Sequence, residues 1–233
     1  MNFELDKVEG FDFYLIDARD KPIPEKILNQ KLILLDNFSK DRYFYPSFDT
    51  LPHMLNDFED IIHTIILPYQ IRNYKSISNT KKIFCYAGSL GFRETYILDR
   101  FLEKHFSFDY EILRVGGFKR KEKHTIVKNT SYLNKAEFLK SLSECEIFVS
   151  YFGQSVLEAS YFGKKILLYS ISDYHEELAY HFVQNTNAMY AGNLLRNSLN
   201  EVANFEKYIR PIDFRIPING LEKLVAKIQD LMS

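Results

Sequence analysis

The sequence predicts an α/β protein built on a parallel β-sheet, and three observations support this prediction. Short apolar runs rich in Ile, Leu, Val and Phe alternate along the chain with segments of helical spacing. The runs are apolar enough to be buried strands. Two of them, within 81–91 and 146–153, end in a glycine loop that leads directly into a helical segment. Strands that alternate with helices of this length form a parallel sheet covered on both faces.

The first segment of the chain predicts a small βαβ unit. Its expected elements are strands at 11–18, 31–37 and 61–67, a short helix at 23–30 and a loop at 38–52. Pro24 suits the first turn of the helix because its fixed backbone angle is already helical. The first two strands each end in an acidic residue, Asp17 and Asp36.

The polar stretch from Pro68 to Lys82 predicts a linker, so we place a domain boundary near residue 75 and expect domains at 1–75 and 76–233. The second segment contains most of the regular pattern. We expect strands at 81–87, 110–117, 146–153 and 164–170, a short element at 187–192, and helices at 92–105, 134–145, 155–162, 173–185, 197–209 and 219–232. The last helix carries an apolar stripe of Leu221, Leu224, Val225, Ile228 and Leu231.

Composition narrows the class of function. The 233 residues include 30 Lys and Arg against 31 Asp and Glu, so nothing indicates a nucleic-acid partner. Two cysteines without metal-ligand spacing favour a reducing compartment, and no motif asks for a metal ion or a cofactor. We see no signal peptide, and no apolar run is long enough to span a membrane. We therefore expect a soluble, cytoplasmic protein.

The loop at 87–91, with the sequence Ala-Gly-Ser-Leu-Gly, joins a strand to a helix. In a parallel sheet, ligands bind where the strands end. Small residues allow the backbone to approach a ligand, and the start of a helix offers free N–H groups and a partial positive charge. Ser89 could add a hydroxyl group. A turn needed only for chain reversal would have the same sequence, so both interpretations stay open.

The loop at 152–159 has two interpretations as well. Gly153 follows a buried strand, and Ser155 and Glu158 have the spacing of a capping box, in which each side chain satisfies a free N–H group of the helix. The same arrangement suits a ligand clamp, because a helix start can hold a phosphate while a carboxylate one turn later accepts two hydrogen bonds from a ribose diol. Gly163 is expected to end this helix in a left-handed conformation.

The block from Ser143 to Ala179 resembles the C-terminal half of GT-B nucleotide-sugar enzymes. It is most similar to the UDP-sugar hydrolase of the pseudaminic-acid pathway and to spore-coat polysaccharide proteins, and more distantly to the GlcNAc transferase that makes lipid II. The loop at 87–91, the segment 173–179 and the tail at 218–228 also match, so the resemblance covers about residues 81–230. It implies a Rossmann-like, GT-B-like C-terminal domain that binds a UDP-linked sugar.

The resemblance also implies roles for individual residues. Glu158 would bind the ribose hydroxyls, while backbone groups near Tyr132 and Leu133 would read the uracil. His175 and Glu176 would face the sugar, with His175 as a weak candidate for the catalytic base. The alternatives are a solvated histidine and a glutamate that favours a helix start; Asp173 is expected to cap that helix. Gly153, Gln154 and Ser155 would hold the diphosphate with Ser89, and the nucleotide-sugar site would also include Gly88, Leu90 and Gly91.

The N-terminal segment departs from the family pattern, because it has no Gly-x-Gly-His loop and corresponds to about half of the expected domain. Neither His53 nor His63 lies in a glycine-rich turn, so neither takes the catalytic role. Three explanations follow: a second polypeptide supplies the missing half, His175 serves as a re-sited base, or the chain binds without turnover. The expected function is cleavage or transfer at the anomeric bond of a nucleotide-linked sugar in surface-glycan or nonulosonate biosynthesis; the alternative is a non-catalytic binding or partner subunit.

Overall fold

A computed structural model describes residues 13–17, 23, 25–52, 60–63, 74, 76, 80–106, 109–119, 126–196, 198–199, 205–213, 216 and 219–232. Its contacts divide the chain into two compact units, one formed by residues 1–63 with 219–233 and the other by residues 64–218. The contacts thus group the last helix with the N-terminal strands, whereas the sequence assigned it to the second domain. The predicted boundary near residue 75 stays a prediction about independently folding domains.

The first unit contains a parallel sheet in the order β1-β2-β3. Its strands are β1 (Tyr14–Asp17), β2 (Leu32–Leu35) and β3 (Ser47–Phe48). In the register between the first two, Tyr14 lies opposite Leu32. Ile23, Ile27, Leu32 and Leu34 form a small buried core. The parallel β1–β2 pair confirms the predicted strands at 11–18 and 31–37.

Three predictions for this unit differ from the structure. Among the described residues between β1 and β2, the helical part is a 3₁₀ turn, Glu25–Ile27, in place of the helix predicted at 23–30. The predicted loop at 38–52 contains a second 3₁₀ turn, Lys40–Tyr43, as well as β3. Within the predicted third strand at 61–67, residues 61–63 form no strand, and the rest lies outside the described residues. Apolar runs this short do not by themselves identify the type of element.

The last helix, α6 (Gly220–Met232), forms as predicted. Of its apolar stripe, Leu224 is buried, whereas Leu221, Val225 and Leu231 each keep 40% or more of their surface exposed. Helical periodicity therefore predicted the element correctly but not how much of its apolar face is covered.

The second unit contains a seven-stranded sheet in the order β10-β9-β8-β7-β4-β5-β6, in which only β10 is antiparallel to its neighbour. The strands are β4 (Lys82–Gly88), β5 (Glu111–Gly116), β6 (Val127–Thr130), β7 (Ile147–Tyr151), β8 (Lys165–Ser170), β9 (Met189–Asn193) and β10 (Ser198–Leu199). The helices are α1 (Phe92–His105), α2 (Lys135–Glu144), α3 (Gln154–Tyr161), α4 (Asp173–Gln184) and α5 (Phe205–Tyr208). This alternation confirms the predicted α/β class with Rossmann-like parallel sheets.

The core of the second unit forms where central strands meet α1. Cys85 on β4 and Val149 on β7 lie opposite each other in the register and are fully buried. Leu98 and Leu102, one turn apart on α1, belong to the same buried cluster. Burial of these apolar side chains is the main stabilising contribution to the unit.

Two parts of this unit differ from expectation. The strand β6 was not predicted, because its short sequence, Val-Lys-Asn-Thr, has only one apolar residue. Within the predicted helix at 197–209, the described residues include the two-residue strand β10 and the four-residue helix α5. Tertiary pairing determines both regions, since Ser198 and Leu199 pair with the end of β9.

The order of the strands creates a switch point between β4 and β7. The chain leaves β4 toward β5 and β6 on one side, and leaves β7 toward β8 and β9 on the other. The loops that follow β4 and β7 therefore diverge and leave a crevice at the carboxyl ends of these two neighbouring strands, where α/β sheets bind ligands.

Candidate functional site

A cavity of about 510 Å³ lies at this crevice. Its volume is in the range of small-molecule sites. It is bordered by the carboxyl ends of β4, β5 and β7, by the segment between β6 and α2, and by the start of α3. The residues that line it are Tyr86, Gly88, Val115, Gly116, Ser131, Tyr132, Leu133, Lys135, Phe138, Tyr151, Gly153, Gln154, Ser155 and Glu158.

Gly153 caps the start of α3 at the edge of the cavity. Its backbone is extended, with φ 175°, which any residue can adopt. A β-carbon placed on it would meet no heavy atom within 4 Å, apart from its chain neighbours. Neither backbone strain nor protein packing therefore requires glycine here. The first N–H groups of a helix have no partner within the helix, so this turn presents donors and open space to a ligand.

Of the two interpretations of Ser155 and Glu158, the capping box is wrong. The helix begins at Gln154 with Gly153 as its cap, and no side chain caps it. Ser155 is already the second helical residue, and a side-chain N-cap needs an extended backbone. The other end of α3 agrees with prediction: Gly163 has φ 63°, and its N–H donates to the carbonyl of Ser160 at 2.9 Å.

Glu158 forms an ion pair with Lys135, the first residue of α2. The carboxylate is 2% exposed and the lysine side chain 50% exposed. Burial raises the pKa of Glu158, while the hydrogen bond and the charge of Lys135 oppose that shift. The pair thus places one buried anion and one accessible cation side by side in the cavity.

Aromatic side chains form one wall of the cavity. Tyr86 and Phe138 meet edge to face with their ring centroids 5.4 Å apart, and Tyr86 lies 6.0 Å from Tyr151. Tyr132 and Leu133 border the cavity just before the Asn134 cap of α2, and Tyr132 is 74% exposed. Such faces can bury a flat aromatic group.

The glycine loop after β4 has a different role. Gly88 lines the cavity, but Ser89, Leu90 and Gly91 do not. Gly88 has φ 54°, and a β-carbon on it would collide with the hydroxyl of Tyr151. Gly117 donates its N–H to the carbonyl of Gly88 at 2.7 Å. Gly88 is therefore required for close packing of the strand ends.

His175 does not line the cavity, and neither does Glu176. The Nδ1 atom of His175 lies 2.7 Å from the Oγ atom of Ser172, and its ring packs edge to face on Tyr151, 5.1 Å between centroids. His175 is thus separated from the cavity by Tyr151, which lines it.

Glu176 takes part in a polar network beside the ends of β8 and β9. Its carboxylate accepts hydrogen bonds from Tyr190 at 3.2 Å and Asn193 at 3.1 Å, and it pairs with Arg196 at 3.3 Å. Asp173 was predicted to cap α4, which is wrong. Ser172 is the cap because its backbone is extended and its hydroxyl accepts the N–H of His175 at 3.2 Å.

Sequence reasoning missed seven residues that line the cavity: Tyr86, Val115, Gly116, Ser131, Lys135, Phe138 and Tyr151. A lysine at a helix start looks like an ordinary solvated residue, and the aromatic residues look like core. The rule that ligands bind at strand ends could have indicated Tyr86 and Tyr151, which lie in the last residues of predicted strands.

Other predicted features lie elsewhere or outside the described residues. His53 is not described. His63 belongs to the first unit, where burial lowers its pKa to about 4. Among the described residues, no group of three His, Cys, Asp or Glu side chains could hold a metal ion. In the same part of the chain, every helix is too short or too polar to cross a membrane.

No protein-family model matches the sequence, and no curated protein matches it. Solved structures of GT-B glycosyltransferases do resemble it. UGT89C1 of Arabidopsis thaliana in complex with UDP has 12% identity and a TM-score of 0.46, over 92% of this chain and 66% of that one. The spinosyn forosaminyltransferase SpnP has 13% identity and a TM-score of 0.43, over 72% and 43%.

The glycosyltransferase SnogD from Streptomyces nogalater has 13% identity and a TM-score of 0.42, over 74% of this chain and 58% of its own. The chain therefore spans about two thirds of UGT89C1 and a smaller part of the other two proteins.

Proposed function

We propose that this chain binds a UDP-linked sugar in the cavity between β4 and β7. The observation that carries the proposal is the start of α3, where Gly153, Gln154 and Ser155 line the cavity and Gly153 leaves open space. The diphosphate lies at Gly153, Gln154 and Ser155, and the partial positive charge of the helix start stabilises it. The Glu158 carboxylate accepts hydrogen bonds from the ribose hydroxyls.

The remaining features of the cavity suit the rest of a nucleotide. The uracil lies beside Tyr132 and Leu133, against the aromatic wall of Tyr86 and Phe138. An aromatic wall favours a flat base, and backbone groups in the segment before α2 can read its polar edge. Because UDP departs as an anion, donors at the start of α3 would stabilise the leaving group of cleavage or transfer at the anomeric bond.

The proposed enzyme acts in the cytoplasm in surface-glycan or nonulosonate biosynthesis, with the pseudaminic-acid-pathway hydrolases as its proposed relatives. His175 is the candidate base, behind Tyr151. A second candidate function is a binding or partner subunit that acts with a second polypeptide. It is favoured because neither His175 nor Glu176 is among the residues that line the cavity, since a general base must reach the proton that it removes.

Two matched glycine variants test the binding site. Gly153 and Gly91 are both extended residues that cap a helix after a strand, but only Gly153 lines the cavity. In Gly153→Ala the added methyl group would occupy ligand space, and UDP affinity is expected to fall by about 1–3 kcal/mol, roughly 5- to 150-fold. In Gly91→Ala the new β-carbon meets the mobile carboxylate of Glu94, and UDP affinity is expected to stay within about threefold.

Calorimetric titration with UDP measures both affinities, and the melting temperature without UDP controls for folding. A chain that neither binds UDP nor shows a UDP-dependent rise in melting temperature would contradict the proposal. Incubation with UDP-sugars then separates the two functions. Release of free UDP that is lost in His175→Ala supports the enzyme, whereas UDP binding without release supports the binding subunit.

A further inference from the structure

Side chains of opposite charge line the cavity, and the proposed diphosphate would bind close to both. Among the described residues that line it, only Lys135 and Glu158 are charged, so their formal charges cancel. A diphosphate is at least doubly negative, and the Glu158 carboxylate alone would repel it. To bind a diphosphate beside Glu158, the site therefore needs the positive charge of Lys135 as well as the helix start.

The geometry of Lys135 leaves its ammonium group available. Lysine has three N–H donors, and the ion pair with Glu158 uses one of them. Glu158 is almost completely buried, whereas half of the lysine side chain is accessible. The carboxylate therefore anchors the ammonium group at the cavity, while the remaining donors can face an incoming anion.

Helix stability does not explain a lysine at this position. Lys135 is the first residue of α2, where the positive end of the helix dipole disfavours a cation. The cap is already complete without it: Asn134 accepts the N–H of Glu137 at 3.0 Å, and Glu137 accepts the N–H of Asn134 at 3.0 Å. The side chain instead turns toward α3, where it pairs with Glu158.

We propose that Lys135 binds the diphosphate of the nucleotide and that Glu158 holds its ammonium group at the cavity until the nucleotide arrives. The inference rests on the proposed function and deepens it by adding a specificity-determining residue. With ribose hydroxyls on Glu158, the ammonium group bridges the carboxylate and a phosphate oxygen. The site then discriminates UDP from uridine through this charge-assisted contact.

The test is the diphosphate preference, defined as the dissociation constant for uridine divided by that for UDP. Calorimetric titration gives both constants for the unaltered chain, Lys135→Met, Lys135→Arg, Glu158→Gln and the double variant Glu158→Gln/Lys135→Met. The preference is expected to fall about 10- to 100-fold in both variants that lack the lysine. In Glu158→Gln both ligands are expected to bind more weakly because the ribose contact is altered, but the preference is expected to stay within about threefold because the amide oxygen still accepts a hydrogen bond from Lys135. In Lys135→Arg the preference is expected to recover largely.

The double variant separates two roles of the lysine. Lys135→Met alone leaves the Glu158 carboxylate without its counter-ion, so the carboxylate also repels the diphosphate. In the Glu158→Gln background only the direct contact of the lysine with phosphate is lost. Lys128→Met is the control, because Lys128 pairs with Glu111 at 2.7 Å and does not line the cavity. Melting temperatures report folding.

An unchanged diphosphate preference in Lys135→Met would overturn this proposal, even if UDP binds the unaltered chain and Gly153→Ala weakens it as expected. A preference that falls in the single variant but not in the Glu158→Gln background would also overturn it, because the lysine would then act only as a counter-ion. Failure of the unaltered chain to bind either ligand would contradict the proposed function and this inference together.

Discussion

The turn after β4 and the turn after β7 have the same local design but different reasons for their glycines. Each joins a buried parallel strand to a helix, and in each a glycine caps the helix without a side-chain bond. In the first turn, Gly88 is left-handed and lies against Tyr151, so the protein itself requires it. In the second, Gly153 is extended and faces open space.

This difference teaches that a glycine loop is not evidence of a ligand site by itself. What decides is whether the space beside the missing side chain is filled by the protein. Gly88 lies in contact with the neighbouring strand ends, because Gly117 bonds to its carbonyl and Tyr151 covers it. Gly153 has no such neighbour, which supports its proposed role at the diphosphate.

The largest effect is expected from a substitution of Arg114, which supports the first turn through buried hydrogen bonds. Arg114 is fully buried, donates to Asp99 at 2.7 Å and to the carbonyl of Phe118 at 3.1 Å, and also donates to the carbonyl of Gly116. Arg114→Met removes the cation that faces a buried carboxylate and is expected to lower the free energy of unfolding by about 3–5 kcal/mol.

Urea denaturation measures this loss. The double variant Arg114→Met/Asp99→Leu removes both charges and is expected to lose clearly less than the single variant. A single variant that loses less than about 1 kcal/mol would show that the buried pair does not support this turn.

A matched glycine pair sharpens the comparison of the turns directly. Gly88→Ala forces a β-carbon into a left-handed position and against Tyr151, so it is expected to lower the free energy of unfolding by about 2–4 kcal/mol. Gly153→Ala is expected to change it by less than about 1 kcal/mol, because no protein atom is displaced. Urea denaturation measures both free energies of unfolding. Equal losses in the two variants would show that the two glycines do not differ in their importance for packing.

The helix starts provide a smaller effect. Ser172 caps α4, and Ser172→Ala is expected to lower the free energy of unfolding by about 1 kcal/mol. Ser155 fits the sequence pattern of a cap but makes no cap bond, so Ser155→Ala is expected to change stability by less than about 0.5 kcal/mol. Thermal unfolding of the two variants checks this order, and a larger loss in Ser155→Ala would restore the capping box.

The smallest expected effect concerns pH at the second turn. Burial raises the pKa of Glu158 in the folded protein, with Lys135 opposing the shift, so the folded state binds a proton at higher pH than the unfolded state. The unaltered chain should therefore gain stability relative to Glu158→Gln as the pH falls from 7 toward 4.5. Urea denaturation at several pH values measures the difference. A loss of stability relative to Glu158→Gln as the pH falls would mean that the ion pair with Lys135 lowers the pKa of Glu158 more than burial raises it.

Much of the second unit could be predicted because its signals are local. The helix at 92–105 has the bounds that its apolar spacing indicated. Gly163 takes the left-handed conformation that a helix end favours. Predictions failed where the local pattern was ambiguous. Ser155-x-x-Glu158 and Asn134-x-x-Glu137 have the same spacing, yet only the second forms a capping box.

The physical reason is the length of the turn before each helix. Two residues, Phe152 and Gly153, separate β7 from α3, so the helix starts before Ser155 can adopt the extended backbone of a cap. Before α2 the chain has four residues after β6, 131–134, and Asn134 takes that conformation with φ −67° and ψ 166°. Sequence spacing does not contain this information.

The sequence by itself determined the alternation of strands and helices and therefore the parallel α/β class, because hydrophobic periodicity acts over a few neighbouring residues. It also indicated Gly153, Ser155 and Glu158 as cavity residues. Only the tertiary structure decided that Lys135 pairs with Glu158, that Tyr151 lies between His175 and the cavity, and that Gly88 serves packing. These contacts join residues 23, 24 and 63 positions apart, and such separations leave no local pattern in the sequence.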